Sequence, residues 1–186
     1  MFGAKFGHFL DKPLAPLAKK LSIHPNVLTI TGFLITLIAS AIIPFHLKIG
    51  GLLILFGGFF DMLDGVVARS NHTNTHFGAF LDSTLDRVSD FLLFFAIGCY
   101  FATINNLEGI ILTSACLLGA FMISYIRARA EGLGIKCEVG LMERPERIVL
   151  ISIGCLTGLI FYVMIILLVL TYLTVLQRLA HVYKSS

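Results

Sequence analysis

Four carboxylates stand at the edges of otherwise apolar segments, Asp61 and Asp64 in one and Asp82 and Asp86 in the next. On a helix, positions 61, 64, 65 and 68 follow i, i+3, i+4, i+7 and share a face, while 78, 82 and 86 repeat every four residues as a second stripe. Each stripe carries two acids, with Gly65, Ala68 or Gly78 beside them where a larger side chain would fill the space. An acid inside a membrane costs about 2.5–3.5 kcal/mol even on the mildest scales, and by default it marks a functional site. Counting Asp90, the region holds five acids against Arg69 and Arg87, a surplus of three negative charges. Hard divalent cations are the natural counter-charge for an all-oxygen cluster. Two of them, about 3.5–4 Å apart, can clamp a phosphoryl group during in-line displacement. The small residues leave room for a phosphate-bearing ligand to reach the backbone. A salt-bridged structural cluster and an ion-permeation acid set are the readings that the acids alone leave open.

The elements that must position these acids are membrane helices. Hydrophobic residues make up 57% of the 186 and charged residues 13%, with a mean hydropathy of +0.91, which excludes an ordinary soluble domain and a nucleic-acid-binding surface. The expected fold is all-α: a polytopic membrane protein of six transmembrane helices, residues 23–186, behind a short amphipathic interfacial segment on the cytoplasmic face, residues 1–22. In that segment Phe2, Phe6, Phe9, Leu10, Leu14 and Leu17 alternate with Lys5, Lys12, Lys19 and Lys20, and Pro13 and Pro16 prevent a long helix. No cleavable signal peptide is evident.

The first span is expected over Val27–Phe45, with Asn26 or Thr29 as its cap, and the second over Gly51–Arg69. Asp61 lies about 12 Å of helix before Arg69, so the site falls inside the membrane edge and needs a water-filled cavity. The third span opens at Phe77 and runs to Ile104, and the fourth covers Ile110–Ile126. Asp90 continues the acidic stripe one turn deeper, as a hydrogen-bonding or tuning group rather than a ligand. The loop Gly132–Met142 leads to Arg144-Pro145, a helix start. The uncharged stretch Ile148–Leu176 is too long for one span, and Gly158 suggests a hairpin of two. His72 and His76 read as interfacial loop residues, and Cys99, Cys116, Cys137 and Cys155, without CxxC spacing, as packing residues.

Six spans put all Lys and Arg except Lys48 on one side. The positive-inside rule then makes that side cytoplasmic, with both termini and the acids on it, and makes the Asn71-His72-Thr73 sequon an accident. Ser124 and Arg127 share a face of the fourth helix, Arg144 and Arg147 share one at the start of the fifth, and Arg178 lies at the same end. If they converge, they form an anion pocket, since Arg offers bidentate donors to phosphate. Positive-inside anchoring to lipid headgroups is the alternative.

The pattern Asp61-x2-Asp64-Gly65-x2-Ala68-Arg69-x8-Gly78-x3-Asp82-x3-Asp86 fills every fixed position of the signature it resembles, that of the CDP-alcohol phosphotransferase family. The resemblance implies transfer of a substituted phosphate from a CDP-linked lipid to an alcohol, with release of CMP. It implies that Asp61, Asp64, Asp82 and Asp86 hold two Mg²⁺ ions, Mn²⁺ being able to substitute. It places the CDP moiety against Asp64, Gly65, Ala68, Arg69, Gly78 and Asp82, with Pro25, Asn26 and Thr29 nearby, and makes Asp86 the favoured general base. The segments Ser124-Tyr-Ile-Arg127-Ala-Arg-Ala-Glu131 and Gly140-Leu-Met-Glu143-Arg144-Pro-Glu-Arg147 resemble those of the phosphatidylinositol-phosphate synthase branch and its archaetidylinositol counterparts. In that branch the acceptor is inositol 1-phosphate, its phosphate held here by Ser124, Arg127, Arg144, Arg147 and, matched by position, Arg178. The donor is CDP-diacylglycerol or CDP-archaeol, and the family generally forms homodimers. Glycerol 3-phosphate is the alternative acceptor, and a small metal-ion transporter the alternative from another class.

Overall fold

The computed structural model describes residues 23–71 and 73–185. The expected amphipathic segment at 1–22 and His72 lie outside them. Six helices follow one another: α1 Pro25–Ile42, α2 Leu47–Ser70, α3 His76–Thr103, α4 Leu107–Gly132, α5 Arg144–Thr157 and α6 Ile160–Ser185. Among the described residues there is no strand.

Local chemistry explains the helix ends. Pro25 sits in the first turn of α1, where its missing N–H costs nothing, and His24 is the cap, its Nδ1 accepting from Asn26 N at 3.3 Å. The expected cap at Asn26 or Thr29 is therefore corrected. Thr29 already lies inside the helix, and its hydroxyl turns back to Pro25 O and across to α2. Thr75 Oγ1 accepts from Gly78 N at 3.0 Å to open α3, and Asn106 Oδ1 from Gly109 N at 2.8 Å to open α4. Glu146 Oε2 accepts from Glu143 N at 3.2 Å as half of a capping box on α5. Gly158, at φ 78°, ends α5 in the left-handed region and starts the expected hairpin.

Three boundaries differ from expectation by four residues or more. The α2 helix begins at Leu47, absorbing most of the turn expected at 46–51. The α4 helix continues through Arg127 and Arg129 to Gly132, and α6 continues through the polar tail to Ser185. Hydropathy marks where an apolar run stops, whereas a helix stops only where its backbone loses its bonds or meets a breaker.

The helices in contact are α1 with α2, α2 with α5, α5 with α6, α6 with α4, α4 with α3, and α3 with α1. Each helix thus has two neighbours, and the bundle closes as a ring with α3 and α5 on opposite sides. Leu93, Phe94, Ile97, Phe101, Ile151, Met164 and Leu167 fill its middle. Buried hydroxyls such as those of Thr36 and Ser152 bond their own helix, at Gly32 O and Ile148 O, which satisfies them where no water reaches. Cys116, Cys137 and Cys155 are buried and unpaired, in keeping with packing. Large apolar side chains such as Leu34, Leu52, Phe56, Phe95, Phe121 and Val169 point outwards, a surface suited to lipid rather than water.

Four helices, α1, α2, α4 and α6, are long and apolar enough to cross a membrane. Of the other two, α3 has 28 residues but carries Asp82, Asp86, Arg87 and Asp90 between its start and its middle, and α5 has only 14 residues.

Candidate active site

The ring is open at the end where α2 finishes and α3 begins. There the carboxylates of Asp61, Asp64 and Asp82 offer oxygens that all lie within 4.8 Å of one another. Asp61 and Asp64 come from the last turns of α2 and Asp82 from the second turn of α3, so the two stripes do face each other. Asp64 is buried, and its Oδ2 accepts a 2.5 Å bond from Thr29 Oγ1 of α1. Three convergent carboxylates with one orienting hydroxyl suit a hard divalent cation.

Asp86 sits one turn deeper and makes a different contact. Arg144 of α5 pairs through Nη1 with Asp86 Oδ1 at 2.5 Å and with Asp61 Oδ2. Arg87 Nη1 stands 3.6 Å from Asp86 Oδ2. The structure therefore groups three of the four expected metal ligands directly and ties the fourth to them through a guanidinium.

Two cavities meet at Ala79 and Asp82. The first, of about 240 Å³, is lined by Pro25, Asn26, Thr29, Asp64, Gly65, Ala68, Arg69, Gly78 and Asp82, together with Thr73, Asn74 and Thr75. Every residue expected at the CDP group is present. The first turns of α1 and α3 both border it, and helix N-termini favour anions. A Cβ at Gly78 would come within 3.0 Å of Asn26 Oδ1 and 2.9 Å of Thr75 Oγ1, so the absence of a side chain there keeps the cavity open.

The second cavity, of about 540 Å³, is lined by Asp82, Asp86, Ser124, Arg127, Arg144, Arg147 and Arg178, and also by Arg87, Asp90, Glu131 and Glu143. The expected basic set does converge. Its members are engaged to different degrees. Arg178 is 2% exposed and donates from Nε to Val139 O at 2.8 Å and from Nη1 to Ile123 O at 2.6 Å, with Nη2 3.3 Å from Glu143 Oε1. It pins the 133–143 loop to α4 and α6. Arg127 pairs with Glu131 at 2.9 Å. Ser124 Oγ donates to Ala120 O, leaving its lone pairs open. The Nε groups of Arg144 and Arg147 are buried with no hydrogen-bond acceptor among the described residues, a donor surplus that a multi-oxygen anion would satisfy.

Sequence reasoning placed Asp90 as a hydrogen-bonding or tuning group without naming its partner, and it missed the other acids of this wall, Glu131 and Glu143, and the loop residues Thr73–Thr75. The i, i+4 spacing of Arg127 and Glu131 could have revealed one pair. The pairs of Asp90 and Glu143 join distant segments, and nothing local announces them.

Residues 22–183 match the family model described as CDP-alcohol phosphatidyltransferase. The chain belongs to that family. Among its relatives, the archaetidylinositol phosphate synthase of Methanothermobacter thermautotrophicus is 40% identical, over 97% of this chain and 93% of the relative. The phosphatidylinositol phosphate synthase of Mycobacteroides abscessus is 34% identical, over 95% of this chain and 84% of the relative. The crystal structure of Mycobacterium tuberculosis phosphatidylinositol phosphate synthase with CDP-DAG bound superposes with a TM-score of 0.81 at 32% identity, covering 93% of each chain. The same enzyme has been crystallised in complex with manganese and citrate, with a TM-score of 0.80, 32% identity, and coverage of 93% of this chain and 88% of that one. Membership in this family of transferases sets aside the ion transporter, for which Gly65, Ala68, Arg69 and Gly78 would have no use.

Proposed function

We propose that this family member transfers a phosphatidyl or archaetidyl group from a CDP-linked lipid to the hydroxyl of inositol 1-phosphate, releasing CMP. The observation that carries the reading is the meeting at Asp82 of two differently built cavities, one small and flanked by helix N-termini, the other walled by arginines. The names of the inositol-phosphate synthase relatives, and the CDP-DAG and manganese bound to the M. tuberculosis enzyme, support the donor, the acceptor and the need for a divalent ion.

In this reading Asp61, Asp64, Asp82 and Asp86 hold two divalent ions, Mg²⁺ or Mn²⁺, which offset charge on the diphosphate and on the departing CMP. Gly65, Ala68, Arg69 and Gly78 seat the CDP group together with Pro25, Asn26 and Thr29. Ser124, Arg127, Arg144, Arg147 and Arg178 receive the acceptor phosphate, Arg178 chiefly by fixing the loop beside it. Asp86 takes the proton of the acceptor hydroxyl as its oxygen bonds to the β-phosphorus and the bond from that phosphorus to the CMP oxygen breaks. Residues 23–186 form one six-span domain, and both termini and the site are cytoplasmic in the cell membrane. The protein works as a homodimer.

A CMP-release assay on the purified protein tests this, with CDP-diacylglycerol or CDP-archaeol and, separately, inositol 1-phosphate, inositol, glycerol 3-phosphate and serine. Release with inositol 1-phosphate, abolished by chelation and restored by Mg²⁺ or Mn²⁺, is expected. Preference for glycerol 3-phosphate would reassign the acceptor, and preference for inositol or serine would remove the phosphate role from the arginine wall.

A further inference from the structure

We propose that Asp90 is the positioning residue of the acceptor-side wall, holding Arg147 and Arg144 in place without binding metal or substrate. In this it rests on the reading that those arginines face the acceptor phosphate. Asp90 lies one turn beyond Asp86 on α3 and is 7% exposed. Its Oδ2 accepts from Arg147 Nη2 at 2.5 Å, and its Oδ1 stands 3.7 Å from Arg144 Nε. One carboxylate thus reaches both arginines of the first turn of α5.

The geometry makes this more than a surface ion pair. Arg147 is 2% exposed, and among the described residues its guanidinium makes one other hydrogen bond, a long 3.4 Å one from Nη1 to Met142 O. Nearby Glu143 is engaged by Arg178, and Asp86 and Asp61 by Arg144. Asp90 is therefore the counter-charge that Arg147 has. The pair also spans the bundle, because α3 and α5 are not neighbours in the ring of helix contacts. A buried guanidinium that loses its carboxylate must find another anion or move. Any such move displaces the wall facing the acceptor, while the Asp61, Asp64 and Asp82 group, to which Asp90 does not belong, keeps its arrangement.

The test compares full-length wild type with Asp90→Asn and with Asp90→Asn/Arg147→Met, measuring Mn²⁺ binding, melting temperature and steady-state kinetics. Mn²⁺ affinity should stay within about twofold in both variants, while KM for the phosphorylated acceptor rises about tenfold or more and kcat changes less than about threefold. The melting temperature should fall in Asp90→Asn and recover in the double variant, which removes the stranded charge, yet KM should stay high in both. A tenfold loss of Mn²⁺ affinity would make Asp90 a ligand and overturn the proposal, as would an unchanged acceptor KM. Should Asp90→Asn fail to fold, Asp90→Glu carries the same two measurements: one methylene longer, it keeps the counter-charge but shifts the guanidiniums, so acceptor KM should rise about threefold or more with Mn²⁺ affinity held, and an unchanged KM overturns the proposal. If wild type prefers glycerol 3-phosphate, the acceptor assignment fails on its own and KM is read with that substrate. If wild type takes an unphosphorylated alcohol, Asp90→Asn must still raise its KM for the positioning role to survive.

Discussion

The two cavities that meet at Asp82 are built on opposite plans. The smaller draws on the starts of α1 and α3, the end of α2 and the connector between α2 and α3, and most of its lining residues are small. The larger draws on α3, α4, α5 and α6, and charged side chains that hold one another across the bundle dominate its lining. A cradle of small residues near helix ends binds through groups fixed by the backbone and needs little support. A wall of long arginines needs anionic partners, because each guanidinium loses rotamer freedom and solvation when placed. The first design suits a ligand part that never varies within a family. The second suits the part that does.

If the two sides divide the work in this way, mutations should separate them. The largest effect is expected at the junction: Asp86→Asn should bind CDP-lipid normally and release CMP about 10²–10⁴-fold more slowly. Wild-type turnover by that variant would remove Asp86 from the base role. Arg144→Ala should come next, raising KM for the phosphorylated acceptor about 10–100-fold while CDP-lipid affinity holds. Equal weakening of both substrates would show that the cavities act as one. On the donor side, Thr29→Val deletes the hydroxyl that donates to Asp64 at 2.5 Å. It should lower Mn²⁺ affinity about tenfold and leave acceptor KM alone, readable by titrating Mn²⁺ against the purified variant. The smallest effect should come from Gly158→Ala at the far end of α5. Its φ of 78° is strained for a side chain, so it should cost about 1 kcal/mol of stability with both KM values unchanged. A change in either KM would mean that the α5–α6 hairpin transmits to the site.

The same contrast explains what could be read before the fold was known. The donor side was legible because Asp61 to Asp86 lie within two consecutive helices, where spacing fixes which side chains share a face. Helix existence was legible too, down to the break at Gly158, because hydropathy and a glycine act locally. The caps were harder. His24 was overlooked in favour of Asn26 and Thr29, and Thr29 proved to serve Asp64 instead. On the acceptor side the participants could be named but their bonds could not. Arg178 bonds Val139 and Ile123, Arg147 bonds Asp90, and Arg144 joins Asp61 to Asp86, each across a separation that only the closing of the ring creates. A charge pattern says which residues want partners, and topology decides which partners they get.

One consequence follows from the shortness of α5. At 14 residues it measures about 21 Å, some 9 Å less than the hydrocarbon layer of a typical bilayer, while α4 and α6, with 26 residues each, exceed that thickness. The helical wall is therefore thinner where α5 stands, and the 133–143 loop leads into its first residue, Arg144, as if into a dip. A water-borne reactant could sink through such a dip to the level of the glycerol backbone, so the greasy reactant would never have to rise out of its leaflet. The product would be left where it is needed, free to drift sideways into the sheet of lipid it was made from.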